Sequence, residues 1–255
     1  MAPAVPDQPT SPLAAVWARW SAGALDDAPE ARPGRPGLSL RRIVEAAIEL
    51  ADAEGLDGLS MARVAKALGY TPMSLYRHVG SKEELLLHMQ EQAVGEPPAH
   101  LAPSGDWRAD LERWCWEATR RMRLHPWFLQ AVTQLGAPST PRQLAWFDLA
   151  LACLEPAPLS EGEKLSALLL LNAHSFGDLT FEAADHPSEV AQNPYLDEVP
   201  GFVDAQRYPA LARAFAGGAF TPSEDPAADR DEIFSFGLQR ILDGLEVFIA
   251  HRRRA

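Results

Sequence analysis

Apolar residues recur at helical spacing along most of the chain from residue 38 onward. In the first such segment Ile43, Ala47 and Leu50 share one helical face, and Ser39 and Gly55 are suitable start and stop residues. Three shorter helices follow, and their predicted N-caps are Ser60, Thr71 and Ser81. Glu84 stands three residues after Ser81, which predicts a capping box there. We therefore predict four helices between residues 38 and 94.

Pro97 and Pro98 interrupt the pattern, and a domain boundary is predicted near residues 93–105. Beyond it every segment again has helical periodicity. The candidate helices are 107–124, 126–135, 141–154, 161–184, 208–216 and 231–253. No segment alternates convincingly with a period of two, so the pattern predicts an all-α protein.

The proline-rich residues 1–37 are predicted to be a flexible arm that holds at most a short helix over 13–20. Residues 185–206 are predicted to be a long loop. The last six residues of the N-terminal arm, Arg32 to Gly37, are extended and basic. They favour an unstructured linker, with the alternative that Arg35 enters an A·T-rich minor groove.

Composition narrows the class of protein. The chain has 255 residues, and 47% of them are hydrophobic, which is ample material for a core. No apolar run approaches the length of a membrane span, and no secretory signal is visible, so we expect a cytoplasmic protein that does not contact membranes. Two cysteines, Cys115 and Cys153, are too few for a disulfide framework and are predicted to be structural thiols.

The charge is unevenly distributed. The net charge is −12, yet residues 32–82 hold eight basic and five acidic side chains, 8 − 5 = +3. Two short helices meet there at the turn Gly69-Tyr70-Thr71, and helices this short must brace each other to be stable. That arrangement is typical of a helix-turn-helix, whose second helix enters the DNA major groove.

Residues 38–86 closely resemble the DNA-binding domain of the TetR family of bacterial repressors. The pieces that carry the resemblance are Ile43, Ala46-Ala47, Gly55-Leu56, Leu59-Ser60, Val64-Ala65, Leu68-Gly69 and the run Leu75 to Leu85. The resemblance implies a helix-turn-helix domain over 38–94 and a helical body over 95–255 that binds a small effector and dimerises. Residues 237–254 look like the last helix of the tetracycline-repressor type of body.

The resemblance also implies a set of DNA-binding residues. Tyr76 and Lys82 match positions that contact backbone phosphates, and Ser60 and Arg63 match positions that touch DNA in relatives. Arg77, where the family often has an aromatic residue, can fork onto guanine or bind phosphate. The full predicted set is Ser60, Arg63, Thr71, Pro72, Met73, Ser74, Tyr76, Arg77, His78 and Lys82. Leu75 and Val79 are predicted to face inward.

Aromatic residues are dense in the body and suit a pocket for a largely apolar ligand. The candidate effector contacts are Trp114, Trp127, Phe128, Trp146, Asn172, His174 and Phe176. His174, Asp178 and Glu182 share a helical face, which favours a structural polar stripe over a metal site. We therefore predict no metal and no cofactor.

Two helices have more apolar surface than one core needs. On the last helix Phe234, Leu238, Ile241, Leu245 and Phe248 form a seam flanked by Leu242 and Ile249. In the helix over 161–184, Leu168 to Leu171 point in all directions. Packing both helices against their symmetry mates would form a homodimer through a four-helix interface.

The favoured function is a ligand-responsive repressor that a small hydrophobic effector releases from a palindromic operator. The alternative is a helical DNA-binding protein without an effector. An all-α enzyme is discounted, because no Glu has a His three residues later and no nucleophile elbow or phosphate-binding loop is present.

Overall fold

The computed structural model describes residues 11–23, 37–136, 139–185, 198–219 and 225–254. These ranges contain helices and no strand, so the predicted all-α class is confirmed for the described chain. The helices are α1 Pro12–Ser21, α2 Leu40–Glu54, α3 Met61–Leu68, α4 Pro72–Tyr76, α5 Lys82–Val94, α6 Trp107–Arg123, α7 Phe128–Leu135, α8 Pro141–Cys153, α9 Glu161–Asp185, α10 Val199–Phe202, α11 Pro209–Ala216 and α12 Pro226–Arg252, with a 3-10 turn at Ala99–Leu101.

The predicted N-caps are confirmed. Ser39, Ser60, Thr71 and Ser81 each accept a hydrogen bond on the side-chain oxygen from the amide three residues later, at 3.0–3.3 Å. The predicted capping box is wrong in its second half, because the carboxylate of Glu84 accepts from the Gly80 amide at 2.9 Å and not from that of Ser81. Local side-chain chemistry therefore sets where these helices begin.

Two apolar cores support the fold. The first joins α2 to α5, and it also contains residues that follow the predicted domain boundary: Met122, Trp127, Phe128, Ala131 and Leu179. The second joins α6, α8, α9 and α12. The first core therefore continues from the helix-turn-helix into the body.

The prediction that residues 1–37 form a flexible arm is wrong for α1. This helix packs on α5, and Val16 is fully buried. The short helix expected over 13–20 is thus present and docked. Arg32, Arg35 and most of the loop expected over 185–206 lie outside the described residues. Within that loop, α10 is a helical turn that the sequence pattern did not predict.

The last helix begins five residues before its predicted start at residue 231. Pro226 occupies the first helical position, where its missing amide is not needed, and the Asp225 side chain accepts from the Ala228 amide at 3.1 Å. The proline therefore begins the helix and does not separate it from the preceding segment.

Both cysteines are buried and unpaired. Burial raises the pKa of Cys115 to about 12 and that of Cys153 to about 11. Neither thiol is therefore ionised near neutral pH. No helix in the described ranges combines the length and apolar character needed to cross a bilayer.

Candidate nucleic-acid interface and interior cavity

The second helix of the helix-turn-helix, α4, has one face buried in the core and one face exposed to solvent. Leu75 and Val79 are fully buried in the first core, as predicted. Gly69 ends α3 with φ +73°, a left-handed conformation that favours glycine, and so allows the tight turn. Met73 is 72% exposed and Tyr76 is 46% exposed. A DNA-recognition helix needs an exposed face and buried anchors, and α4 has both. We call α4 the reading helix.

None of the ten predicted DNA-binding residues is buried. Besides Met73 and Tyr76, the exposed members are Arg63, Thr71, Pro72, Arg77 and Lys82. The half-buried members are Ser60, Ser74 and His78. The structure thus leaves the whole predicted surface accessible.

Some of these side chains already have partners inside the protein. The Thr71 and Ser74 hydroxyls lie 3.0 Å apart and bond to each other. Arg63 pairs with the carboxylate of Glu54 at 2.5 Å and donates to the carbonyl of Gly58 at 2.8 Å. Arg63 must therefore exchange these partners to bind phosphate.

The end of α4 has a defined charge pattern. Burial, helped by the nearby Arg19 and Arg77, lowers the pKa of His78, so its imidazole is neutral at physiological pH. Burial alone would raise the pKa of Glu84, but His88 at 3.6 Å, the Gly80 amide and Arg19 hold it below its usual value. A carboxylate thus stays charged beside the end of the reading helix.

The body contains a small apolar cavity of about 50 Å³. Five of the predicted effector contacts line it: Trp114, Phe128, Trp146, Asn172 and Phe176. The sequence reasoning missed the other lining residues, which are Val94, Ala118, Arg121, Met122, Val132, Gln143 and, from the wider aromatic group, Phe147. Gln143 stands three residues after the α8 cap Thr140, so a capping-box pattern pointed to it.

The structure places Trp127 and His174 outside this cavity, which corrects their predicted role. Trp127 is buried in the first core, and its indole Nε1 donates to the carboxylate of Asp52 at 2.7 Å. His174 stacks on Phe234 with ring centroids 4.8 Å apart, and its Nε2 lies 2.9 Å from the Phe234 carbonyl oxygen. Both side chains join helices instead of facing the void.

Two cavity residues also hold the end of α5. The guanidinium Nη1 of Arg121 donates to the carbonyl of Val94 at 2.7 Å, and the indole Nε1 of Trp146 donates to the carbonyl of Gly95 at 3.0 Å. The Arg121 guanidinium lies over the Trp146 ring, 5.3 Å from its centroid. Because α5 begins directly after the helix-turn-helix, the cavity wall and the reading helix share one connecting element.

The polar stripe on α9 is structural where it is described. Asp178 accepts two hydrogen bonds from Arg123 at 2.8 and 2.9 Å, and His174 is engaged with Phe234. The side chain of Glu182 lies outside the described residues. Across the described part of the chain, no three His, Cys, Asp or Glu side chains are grouped to hold a metal.

The apolar excess on α9 and α12 divides between core and surface. Leu168 and Leu171 are buried, whereas Leu169 and Leu170 are 53% and 50% exposed. On α12 the predicted dimer seam needs correction, because its members Phe234 and Leu238 and the flanking Leu242 and Ile249 are buried in the chain's own core. The exposed apolar residues of α12 are Ile233, Phe236, Val247 and Phe248.

Together the anchored reading helix, the basic segment around it and the linked cavity define a helix-turn-helix transcriptional regulator. Residues 43–89 match the family described as "Bacterial regulatory proteins, tetR family", and residues 98–249 match "Tetracyclin repressor-like, C-terminal domain". The chain belongs to the TetR family. Its relatives are transcriptional regulators, so the prediction that it is not an enzyme is confirmed.

Transcriptional repressors and a solved TetR-family structure are similar to this protein over most of its chain. The repressor DrrR1 of Streptomyces coeruleorubidus is 39% identical over 236 residues, which cover 88% of this chain and 83% of DrrR1. The tetracycline repressor protein class E of Escherichia coli is 26% identical, over 85% of this chain and 94% of that protein. The structure of ActR from Streptomyces coelicolor in complex with actinorhodin has a TM-score of 0.66 at 25% identity, with 83% and 98% coverage.

Proposed function

We propose that the protein is a cytoplasmic, homodimeric repressor that binds a palindromic operator and leaves it when an aromatic small molecule fills the cavity. The observation that carries the proposal is the direct link between the two sites. Helix α5 starts beside the reading helix at Lys82 and ends on hydrogen bonds from the cavity residues Arg121 and Trp146. Cavity occupancy and DNA reading therefore act on the same rigid element.

The DNA contacts divide into reading and positioning. Arg77 and Met73 stand exposed on α4 and its end, where a guanidinium can fork onto guanine and a thioether can pack on a thymine methyl. Tyr76 and Lys82 flank them and suit phosphate oxygens, as does the N-terminus of α5. In this proposal Arg77 and Met73 contact bases, whereas Tyr76 and Lys82 bind phosphates, and the phosphate contacts make the affinity depend on salt.

The dimer is supported by the exposed apolar residues of α9 and α12. Leu165, Leu169 and Leu170 on α9, and Phe236 and Phe248 on α12, are all at least two-fifths exposed. Large apolar side chains on two adjacent long helices favour a second copy, because a four-helix interface would remove them from water. Two-fold symmetry would place the reading helices about 34–36 Å apart, one turn of DNA.

The cavity lining indicates the chemistry of the effector. Five of the twelve lining side chains are aromatic, and Arg121, Gln143 and Asn172 supply the polar groups. A flat aromatic molecule with oxygen acceptors on one edge would stack on the rings and bond to these groups. ActR, which binds actinorhodin, supports this class of ligand.

The coupling follows from a competition for hydrogen-bond donors. Arg121 and Trp146 donate to the carbonyls of Val94 and Gly95 at the end of α5. An effector oxygen that takes the same donors would free the end of α5 and shift the helix. Two reading helices that move out of register can no longer enter successive grooves together.

DNA recognition is tested by selecting duplexes from a random-sequence pool and then titrating variants. We expect Arg77→Ala to lose about 1–3 kcal/mol on the selected duplex and to relax base preference. Lys82→Ala should weaken all duplexes alike and reduce the salt slope by about 0.9. Arg213→Ala, on the exposed face of α11, is the control. Unchanged binding by Arg77→Ala to both selected and random DNA would overturn the reading assignment.

Effector binding is tested with planar aromatic compounds, beginning with actinorhodin. We expect binders to quench tryptophan emission and to release the selected duplex. Phe176→Ala should raise the releasing concentration, whereas Trp127→Phe, outside the cavity, should leave it unchanged. If no compound releases DNA, the alternative function without an effector is favoured.

A further inference from the structure

The first helix lies outside both segments that match the family. Those segments cover residues 43–89 and 98–249, and α1 covers Pro12–Ser21. The helix is properly formed, with Pro12 at its first position and the Ser11 hydroxyl accepting from the Ala14 amide at 3.1 Å. It packs along α5 and buries Ala15 and Val16. Besides α5, α1 contacts two other parts of the chain, the end of α4 and the start of α8.

At one contact, α1 binds the backbone that follows the reading helix. The Arg19 guanidinium Nη2 donates to the carbonyl of His78 at 2.5 Å, just past the last residue of α4. The same nitrogen lies 3.8 Å from the carboxylate of Glu84, whose other oxygen accepts from the Gly80 amide at 2.9 Å. Arg19 and Glu84 together therefore hold the backbone that leads out of α4.

That support matters because α4 has only five residues. A helix of this length has no stability of its own, and its last carbonyls lack intrahelical partners. A cation at the C-terminal end satisfies a free carbonyl and is also favoured by the helix dipole. Arg19 supplies both, from a helix that precedes its target by 59 positions, since 78 − 19 = 59.

At the other contact, α1 is tied to the cavity wall. The indole Nε1 of Trp17 donates to the carbonyl of Ser139 at 3.0 Å. Ser139 directly precedes Thr140, the N-cap of α8, and the side chain of Gln143 accepts from the amides of both at 3.0 and 3.2 Å. Gln143 lines the cavity, so Trp17 holds the backbone that a cavity residue also holds.

We propose that α1 is a positioning element for DNA reading, in which Arg19 fixes the end of the reading helix and Trp17 anchors α1 to the start of α8. Arg19 acts through the backbone carbonyl of His78 and the carboxylate of Glu84, so it is a positioning residue. The inference rests on the proposed DNA surface. It adds a second connection between cavity and reading helix, independent of the α5 end.

The experiment compares full-length variants on the duplex selected with the wild-type protein. We expect Arg19→Gln to bind that duplex about tenfold more weakly, because a charge-assisted hydrogen bond that orders the reading helix is lost. Arg19→Lys, which keeps the charge and one donor direction, should recover part of the loss. Trp17→Phe should weaken binding about threefold. Arg213→Gln, which removes one exposed guanidinium from α11, should bind as the wild type does.

Two further readouts separate positioning from other roles. The slope of log affinity against log salt should stay unchanged in Arg19→Gln, whereas a direct phosphate contact would reduce it by about 0.9. Amide exchange of residues 75–80 should speed up in the same variant at a temperature where circular dichroism shows it fully folded. A reduced slope with unchanged exchange would overturn the proposal in favour of a phosphate contact.

Failures of the two proposals are distinguishable. If the wild-type protein selects no duplex, the proposed DNA surface fails. If it selects one and folded Arg19→Gln and Trp17→Phe bind it like the wild type, α1 is only a stabilising helix and the positioning proposal is overturned. Should Arg19→Gln not fold, Arg19→Lys and Trp17→Phe give the same decision.

Discussion

The exposed leucines of α9 allow a sharp test of the dimer. Leu169 and Leu170 are 53% and 50% exposed in the single chain. Fully burying a leucine side chain contributes about 1.5–3 kcal/mol, so burying the exposed half contributes about 1 kcal/mol. Two such residues in each of two protomers contribute about 4 kcal/mol to the dimer, which corresponds to about a thousandfold in its dissociation constant. Replacing both with Asp removes this contribution and adds like charges across the two-fold axis.

We expect the double variant Leu169→Asp/Leu170→Asp to be a folded monomer at micromolar concentration by size-exclusion chromatography with light scattering. It should also lose the operator, because one subunit holds only one reading helix. Leu124→Asp is the matched control, since Leu124 is 70% exposed at the end of α6 and belongs to neither α9 nor α12. Leu242→Asp should instead unfold the chain, because Leu242 is completely buried in the second core.

The reasoning is refuted if the double variant dimerises with wild-type affinity. It is equally refuted if the wild-type protein is monomeric at micromolar concentration and binds its operator tightly as a single subunit.

Three other predictions concern stability and reactivity. The pKa of Glu84 in the folded protein lies below its usual 4.5. The ionised carboxylate therefore stabilises the fold above pH 4.5, and this stabilisation is lost as the pH falls through the folded pKa. Melting temperatures between about pH 3 and 6 should therefore fall less steeply in Glu84→Gln than in the wild type, and parallel curves would contradict this. Cys115 and Cys153, with pKa values of about 12 and 11, should resist iodoacetamide at pH 8 until the chain is unfolded, as mass spectrometry can check. Asp178→Asn should cost about 2 kcal/mol in urea unfolding, because the partly buried guanidinium of Arg123 loses two charge-assisted hydrogen bonds and keeps only Asp231 as a carboxylate partner; a loss under about 1 kcal/mol would mean that the pair is solvent-screened.

Features set by neighbouring residues could be predicted from the sequence. The caps at Ser39, Ser60, Thr71 and Ser81 were predicted correctly because each depends on an amide three residues away. The inward anchors of α4 followed from helical spacing for the same reason. The exposure of the predicted DNA surface then follows, since residues between two buried anchors must face outward.

Features set by tertiary contacts could not be predicted in this way. Aromatic composition does not distinguish Trp146, which lines the cavity, from Trp127, which bonds to Asp52 across the first core. Likewise, a sustained apolar seam on α12 does not reveal whether Leu242 packs against its own chain or a second copy. The bond from Arg121 to Val94 joins residues 27 positions apart and leaves no periodic trace.

The first core has a consequence for the inheritance of DNA specificity. Trp127, Phe128 and Leu179 of the body are packed among the helices that read DNA. A graft that exchanged only residues 1–94 between two such regulators would join complementary surfaces that never evolved together, and would leave cavities or clashes there. New operator preferences should therefore arise more readily by substitution on the outer face of α4 than by recombination of whole DNA-binding domains. The region that looks most modular in sequence is the one that a transplant would disrupt.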